Sequence, residues 1–175
     1  MEKNIRSPKI LAIDPGTKEM GMAVLDENEL LDYGVKTLRR GPNGDKDILN
    51  QVEKIITRLI TQNKPDVLVI EKNLFSHIKQ NYLLTMVVAT IRNTAKRLKI
   101  KVKEYAPNTI RKQVCGDGYA TKREVARAIA LKFPELKVYL DPGKKWKERY
   151  WQNIFDAVAV GLTYLKSLNG QSSNK

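Results

Sequence analysis

Apolar positions along this chain change their period several times, and each change marks an element. Lys9 to Asp14 (KILAID) is a short apolar run closed by Pro15-Gly16, and Met20 to Leu25 (MGMAVL) is a second, followed by a turn at Glu27-Asn28. A third run, Leu30 to Leu38, alternates loosely until Arg39-Arg40-Gly41-Pro42 breaks it. Runs of this length between turn residues predict three antiparallel, hairpin-connected strands. The period then becomes helical: Ile48, Leu49, Val52, Ile55, Ile56, Leu59 and Ile60 recur at three and four, with Asp45 or Asp47 placed to cap the start. Pro65 opens Asp66 to Glu71 (DVLVIE), whose unbroken aliphatic centre suits a strand covered on both faces, as in a parallel sheet.

A second helical period runs from His77 to Leu98 through Leu84, Val87, Val88, Ile91 and Ala95, and a strand follows at Lys101 to Tyr105. Pro107 suits a helix start, and that helix ends at Gly116-Asp117-Gly118. Thr121 caps the next helix, with Glu124 at the capping-box position. Residues 134–149, with Pro134, Pro142, Gly143 and five basic residues, predict a loop, and a last helix covers Tyr150 to Leu168. The predicted fold is α/β: a mixed five-stranded sheet, three antiparallel strands and then two parallel, with helices on both faces. Residues 1–168 form one domain in this reading, and 169–175, rich in small polar residues, a disordered tail.

Charge narrows the partners. Lys and Arg number 32 against 19 Asp and Glu in 175 residues, a formal +13 that favours polyanions. The longest uncharged stretch, Gln80 to Ile91, is too short for a membrane span. A single cysteine, Cys115, and no charged-then-apolar leader before the first strand point to a reducing, cytoplasmic setting.

Three acids stand where ionised groups are costly. Asp14 and Glu71 each end an apolar strand, and Asp156 lies between Phe155 and Val158 on the last helix. If the first and fourth strands lie side by side and parallel, all three converge at their carboxyl ends, where open α/β sheets place ligands. Converging carboxylates repel one another, and a divalent cation removes the conflict. An oxygen-only donor set favours Mg²⁺ or Mn²⁺ over zinc, and two such ions can flank a phosphodiester. The competing reading makes Asp14 a turn former before Pro-Gly and Glu71 a solvated strand end.

The blocks ILAIDPGTKEMGMAVLD, DVLVIEKNLF, EYAPNTIRKQVCGDGYATK and NIFDAVAVGL, in that order, resemble the RuvC-type Holliday-junction resolvases of the ribonuclease-H-like superfamily. The resemblance implies a ribonuclease-H-like fold and a magnesium-dependent, homodimeric, structure-selective DNA endonuclease, with two ions per site and Mn²⁺ able to substitute. It implies that Asp14, Glu71 and Asp156 are catalytic metal ligands, and that Arg111 and Lys122 occupy positions where the family carries lysines near the scissile phosphate. Arg111 keeps that charge without being able to titrate. Asn153 stands where the family has a further acid or a histidine, and its carbonyl oxygen can still serve a hard cation. Leu74 holds the family's stacking-aromatic position, with Phe75 next to it.

Around that core, Phe75 could wedge between bases at a junction or pack under the following helix. Lys144, Lys145, Lys147 and Arg149 favour contact with the DNA backbone, and Trp146 and Tyr150 interleave with them. His77 reads as a surface histidine. Arg92, Lys96, Arg97, Lys99, Lys101 and Lys103 form a second basic group, either a solvated face or a DNA contact. The second face of the 77–98 helix could make a two-fold contact. Branched DNA is the expected partner, with a branch-migration motor as a candidate. The alternatives are a non-catalytic branched-DNA-binding protein and a YqgF-like nuclease acting in ribosomal RNA processing. A two-lobed sugar-kinase architecture does not fit a chain this short.

Overall fold

The computed structural model of the chain describes residues 7–72, 82–141 and 143–172. Five strands, β1 (Ile10–Asp14), β2 (Glu19–Asp26), β3 (Glu29–Thr37), β4 (Val67–Glu71) and β5 (Lys101–Tyr105), form one sheet in the order β3-β2-β1-β4-β5. The first three pair antiparallel, and β1–β4 and β4–β5 pair parallel, as the hydrophobic pattern requires.

Strand alternation divides the core in two. Ile10, Ala12, Ala23, Leu25, Val67 and Val69 face one side, where α3 (Pro107–Cys115), α4 (Lys122–Lys132) and α5 (Lys145–Ser172) cover them. Leu11, Ile13, Met22, Val24, Leu68 and Ile70 face the other, against α1 (Asp45–Asn63) and α2 (Tyr82–Arg97). The first four residues of β1 and of β4 are fully covered on both faces, which is why those runs are continuously aliphatic. Side chains such as Phe155 and Ile91, wholly inside, each contribute about 1.5–3 kcal/mol by leaving water.

Two glycines set how α5 lies on the sheet. A Cβ on Gly21 would stand 1.9 Å from the Asn153 carbonyl oxygen, so the helix backbone comes within reach of β2 only because that side chain is missing. A Cβ on Gly161 would meet Leu25 and Ala12. Gly16 answers to the same need: its Cβ would stand 1.8 Å from the Glu19 carbonyl oxygen, so close approach and not a positive φ requires it.

Several sequence expectations shift. The N-cap of α1 is Gly44 with φ 64°, not Asp45 or Asp47; Asp45 pairs with Arg40 and Asp47 accepts from Asn43. Residues 134–149 are not a loop throughout: Pro134–Tyr139 forms a 3₁₀ helix and α5 begins at Lys145. Its first turns carry no apolar stripe, so their helical period is invisible. The helix also continues to Ser172, into the segment expected to be disordered, while 173–175 lie outside the described residues. The α4 cap is as expected: Glu124 N donates to Thr121 Oγ1 at 3.3 Å, and Thr121 N donates to Glu124 Oε2 at 2.7 Å. Among the described residues no helix is long and apolar enough to cross a membrane.

Candidate active site

The parallel register of β1 and β4 pairs Ile13 with Ile70, and one residue further along each strand stand Asp14 and Glu71. Period two points both acids to the face covered by α3, α4 and α5, the same face as Ala12 and Val69. There they line one small cavity with Asp156 of α5, Lys122 at the first turn of α4 and Arg111 of α3. Pro107, Ile110, Val125 and Ala159 make its apolar walls. All five residues expected to be catalytic therefore meet in one place.

Electrostatics agree with the placement. Burial, then the charges of Asp156 and Glu71, hold the Asp14 carboxyl well above the usual carboxylate range, against the pull of Lys122. Burial and Asp156 push Glu71 up as well, while Lys122 and Arg111 draw it down. Burial works against the Lys122 charge, but Asp156, Asp14 and Glu71 together outweigh it and hold the ammonium above its ordinary value. Lys122 Nζ lies 2.8 Å from Asp156 Oδ2, and Gln152 Nε2 donates to Asp156 Oδ1 at 2.9 Å.

The donor set is what a hard divalent cation needs: carboxylate oxygens, mutually repelling, two of them held above their ordinary pKa. The acids do not stand as a closed three-carboxylate cluster, however. Among the described residues no three Asp, Glu, His or Cys side chains are arranged to hold one ion, and both oxygens of Asp156 are engaged by Lys122 and Gln152. Asn153, one turn before Asp156, donates to Tyr150 O at 2.9 Å, with Arg149 O and Glu19 Oε2 each at 3.4 Å. Its amide nitrogen is thus occupied, and no hydrogen bond to its side-chain oxygen is made among the described residues.

A wide groove adjoins the cavity and shares Lys122 and Asp156 with it. Lys145 and Arg149 line the groove, but Lys144 and Lys147 do not; Lys147 lies over the Trp146 ring at 5.7 Å. Phe75 and His77 fall outside the described residues. The second basic group is partly spent on structure, since Arg92 forks onto Glu104 at 2.6 and 2.7 Å and Arg97 pairs with Glu53 at 2.8 Å. Sequence reasoning missed Gln152, whose only signal is its four-residue spacing from Asp156. It also missed Lys18 and Arg123, which adjoin Thr17 and Lys122 along the chain, and Tyr139, which reaches the groove through tertiary packing.

Comparison with known proteins bears on this arrangement. The sequence profile described as Crossover junction endodeoxyribonuclease RuvC matches residues 10–164. RuvC of Prochlorococcus marinus subsp. pastoris is 31% identical over 125 residues, 69% of this chain and 79% of that protein. The solved structure of Thermus thermophilus RuvC matches with a TM-score of 0.73 at 20% identity, covering 93% of this chain and 96% of that one. A T. thermophilus RuvC in complex with Holliday junction substrate gives 0.72 at 19% identity over the same shares. The profile runs from the first residue of β1 to within α5 and so takes in every strand and each of the charged residues that line the cavity, which makes this chain a member of the RuvC family of crossover junction endodeoxyribonucleases.

Proposed function

We propose that this protein is a structure-selective DNA endonuclease that resolves four-way junctions by divalent-metal-dependent phosphodiester hydrolysis, in DNA recombination and repair. The observation that carries the reading is the meeting of Asp14, Glu71 and Asp156 with Lys122 and Arg111 in one cavity at the carboxyl ends of two parallel strands. Family membership supports it.

Asp14, Glu71 and Asp156 would hold Mg²⁺, or Mn²⁺ in its place, with the Asn153 carbonyl oxygen as a further donor. Bound there, two such ions supply an activated water and neutralise charge on the leaving oxygen. Lys122, tied to Asp156, places a cation beside the phosphate as negative charge develops on it. Arg111 adds a planar fork that holds phosphate oxygens without titrating. The formal +13 draws the polyanionic substrate in, and Lys145 and Arg149 extend the basic track away from the cavity. A homodimer would present two such sites to the two-fold symmetry of a four-way junction.

The test is cleavage of a labelled synthetic four-way junction, a duplex and a single strand, each with Mg²⁺ or with EDTA. Symmetric nicks in the junction, dependent on Mg²⁺ and absent from Asp14→Asn, are the expected result; equal cutting of all three substrates overturns the structure selectivity. A second reading, a junction-binding protein that does not cleave, is favoured by the engagement of both Asp156 oxygens. Salt-sensitive binding with no nicking at any Mg²⁺ or Mn²⁺ concentration would establish it.

A further inference from the structure

The groove beside the cavity is lined by five basic residues, which suit phosphate, and also by apolar and aromatic residues, which phosphate binding does not explain. It offers about 860 Å³, ample for a nucleotide, and part of its lining is apolar: the half-buried Tyr139, which ends the 3₁₀ helix, and Leu140 after it, backed by the buried Ala126 of α4 and Phe155 of α5. Tyr139 is fixed in that wall, its ring 4.6 Å from Trp151 and 6.1 Å from Tyr33. A rigid apolar surface with an aromatic edge suits the face of a base. At the rim stand Lys145 and Arg149. Lys18, Lys122 and Arg123 add to the basic lining, and Glu19 and Glu148 set among them can accept hydrogen bonds from base amino groups.

We infer that this groove receives one unstacked nucleobase of the DNA substrate, close to the scissile phosphate, and so contributes to the choice of cleavage position. Continuity fixes the register: Lys122 and Asp156 belong to both the groove and the catalytic cavity, so a strand whose phosphate sits at Lys122 has its neighbouring nucleotide at the mouth of the groove. The base lies on Leu140 and Tyr139, and its backbone runs past Lys145 and Arg149. A base at a branch point has already lost part of its stacking, which lowers the few kcal/mol that extrusion costs. This inference rests on the junction-cleaving reading above and adds to it a place for one nucleotide.

The experiment is a photo-cross-linking scan. Synthetic four-way junctions carry 5-iododeoxyuridine at successive positions around the cleavage point, are bound to the full-length protein in EDTA, irradiated and digested for mass spectrometry. The expected outcome is one position, within about three nucleotides of the nick, that cross-links to the peptide containing Tyr139, and at least a fivefold loss of that product in Leu140→Trp, which fills the groove. A junction that is bound and nicked but gives no cross-link to this peptide at any position overturns the inference and leaves the nuclease reading standing. Equal cross-linking from every position does the same. A protein that neither binds nor nicks the junction refutes the nuclease reading itself, and this inference with it. The wild-type scan decides the question even if Leu140→Trp does not fold.

Discussion

Lys122 and Asp156 form an ion pair of 2.8 Å that ties the first turn of α4 to the middle of α5 in the cavity they share with Asp14 and Glu71. Asp156 is the enclosed partner, its side chain 15% exposed, and Lys122 the open one at 66%. The lysine therefore reaches inward from solvent and can meet a phosphate without leaving the carboxylate. Lys122→Met is expected to lower the single-turnover cleavage rate by about 10²-fold or more, the scale for removing one charge-stabilising donor. Junction affinity measured in EDTA should fall far less. An equal loss in both measurements would assign Lys122 to binding alone.

Asp14 gives a stability prediction with a definite sign. Its carboxyl holds a proton more tightly when folded than when unfolded, because burial and then Asp156 and Glu71 disfavour the charge. The folded state is thus favoured at low pH, and that contribution is lost as pH rises from the ordinary carboxylate range through the raised value. Without divalent ions at neutral pH, Asp14→Asn is expected to raise stability and the Tm. Added Mg²⁺ should raise the wild-type Tm and leave the variant unmoved. Calorimetry at pH 7 with EDTA or Mg²⁺ checks both.

Cleavage should depend on pH through the same pair. Glu71 is also raised, by burial and by Asp156, so both acids are still partly protonated where free carboxylates would be fully ionised. Protonated acids do not ligate cations, so the Mg²⁺ concentration for half-maximal cleavage should increase as pH falls. A pH-independent Mg²⁺ requirement between pH 5 and 8, read from rates at about ten Mg²⁺ concentrations, would contradict this.

Asn153→Asp does more than add a ligand charge. The Asn153 amide donates toward the Tyr150 and Arg149 carbonyls and Glu19 Oε2, and an aspartate would set oxygen against oxygen at all three. In EDTA the variant is expected to lose about 1–3 kcal/mol, and Mg²⁺ should restore more stability to it than to the wild type. Urea unfolding with and without Mg²⁺ measures the difference. Equal recovery in both proteins would mean that the new carboxylate does not reach the metal.

The helix–sheet approach can be tested without touching an acid. Gly21→Ala drives a Cβ to within 1.9 Å of a backbone oxygen of α5, which cannot rotate away, whereas at Gly161 the nearest atom is the Leu25 Cδ1 at 2.4 Å, the end of a flexible side chain. Gly21→Ala is therefore expected to cost about 3 kcal/mol or more and to displace Asp156, and Gly161→Ala clearly less. Chemical denaturation ranks the two. Comparable losses would show that α5 yields as readily as Leu25 does.

The strands were legible because burial leaves a direct mark on sequence: residues 10–13 of β1 and 67–70 of β4 lie wholly inside and are aliphatic throughout. Asp14 and Glu71 stood out as charges ending such runs. The start of α5 was not legible, since Lys145, Trp146, Glu148 and Arg149 are all exposed and leave no apolar period to read. Gln152 and Tyr139 escaped for other reasons. Gln152 meets Asp156 one helical turn on, a spacing that many polar pairs share without meaning, whereas Tyr139 meets residues far off along the chain and nothing in its own neighbourhood encodes that.

Strand β1 lies beside β4 although 57 positions separate Ile13 from its partner Ile70, and Asp156 arrives on the final helix. During synthesis a ribosome thus releases each acid at a different time, and the cavity that gathers them is assembled only after α5 has emerged and the slow, non-local pairing of the strands is complete. A truncated translation product ending before α5 would carry much of the positive charge but would lack Asp156 and the wall that closes the cavity.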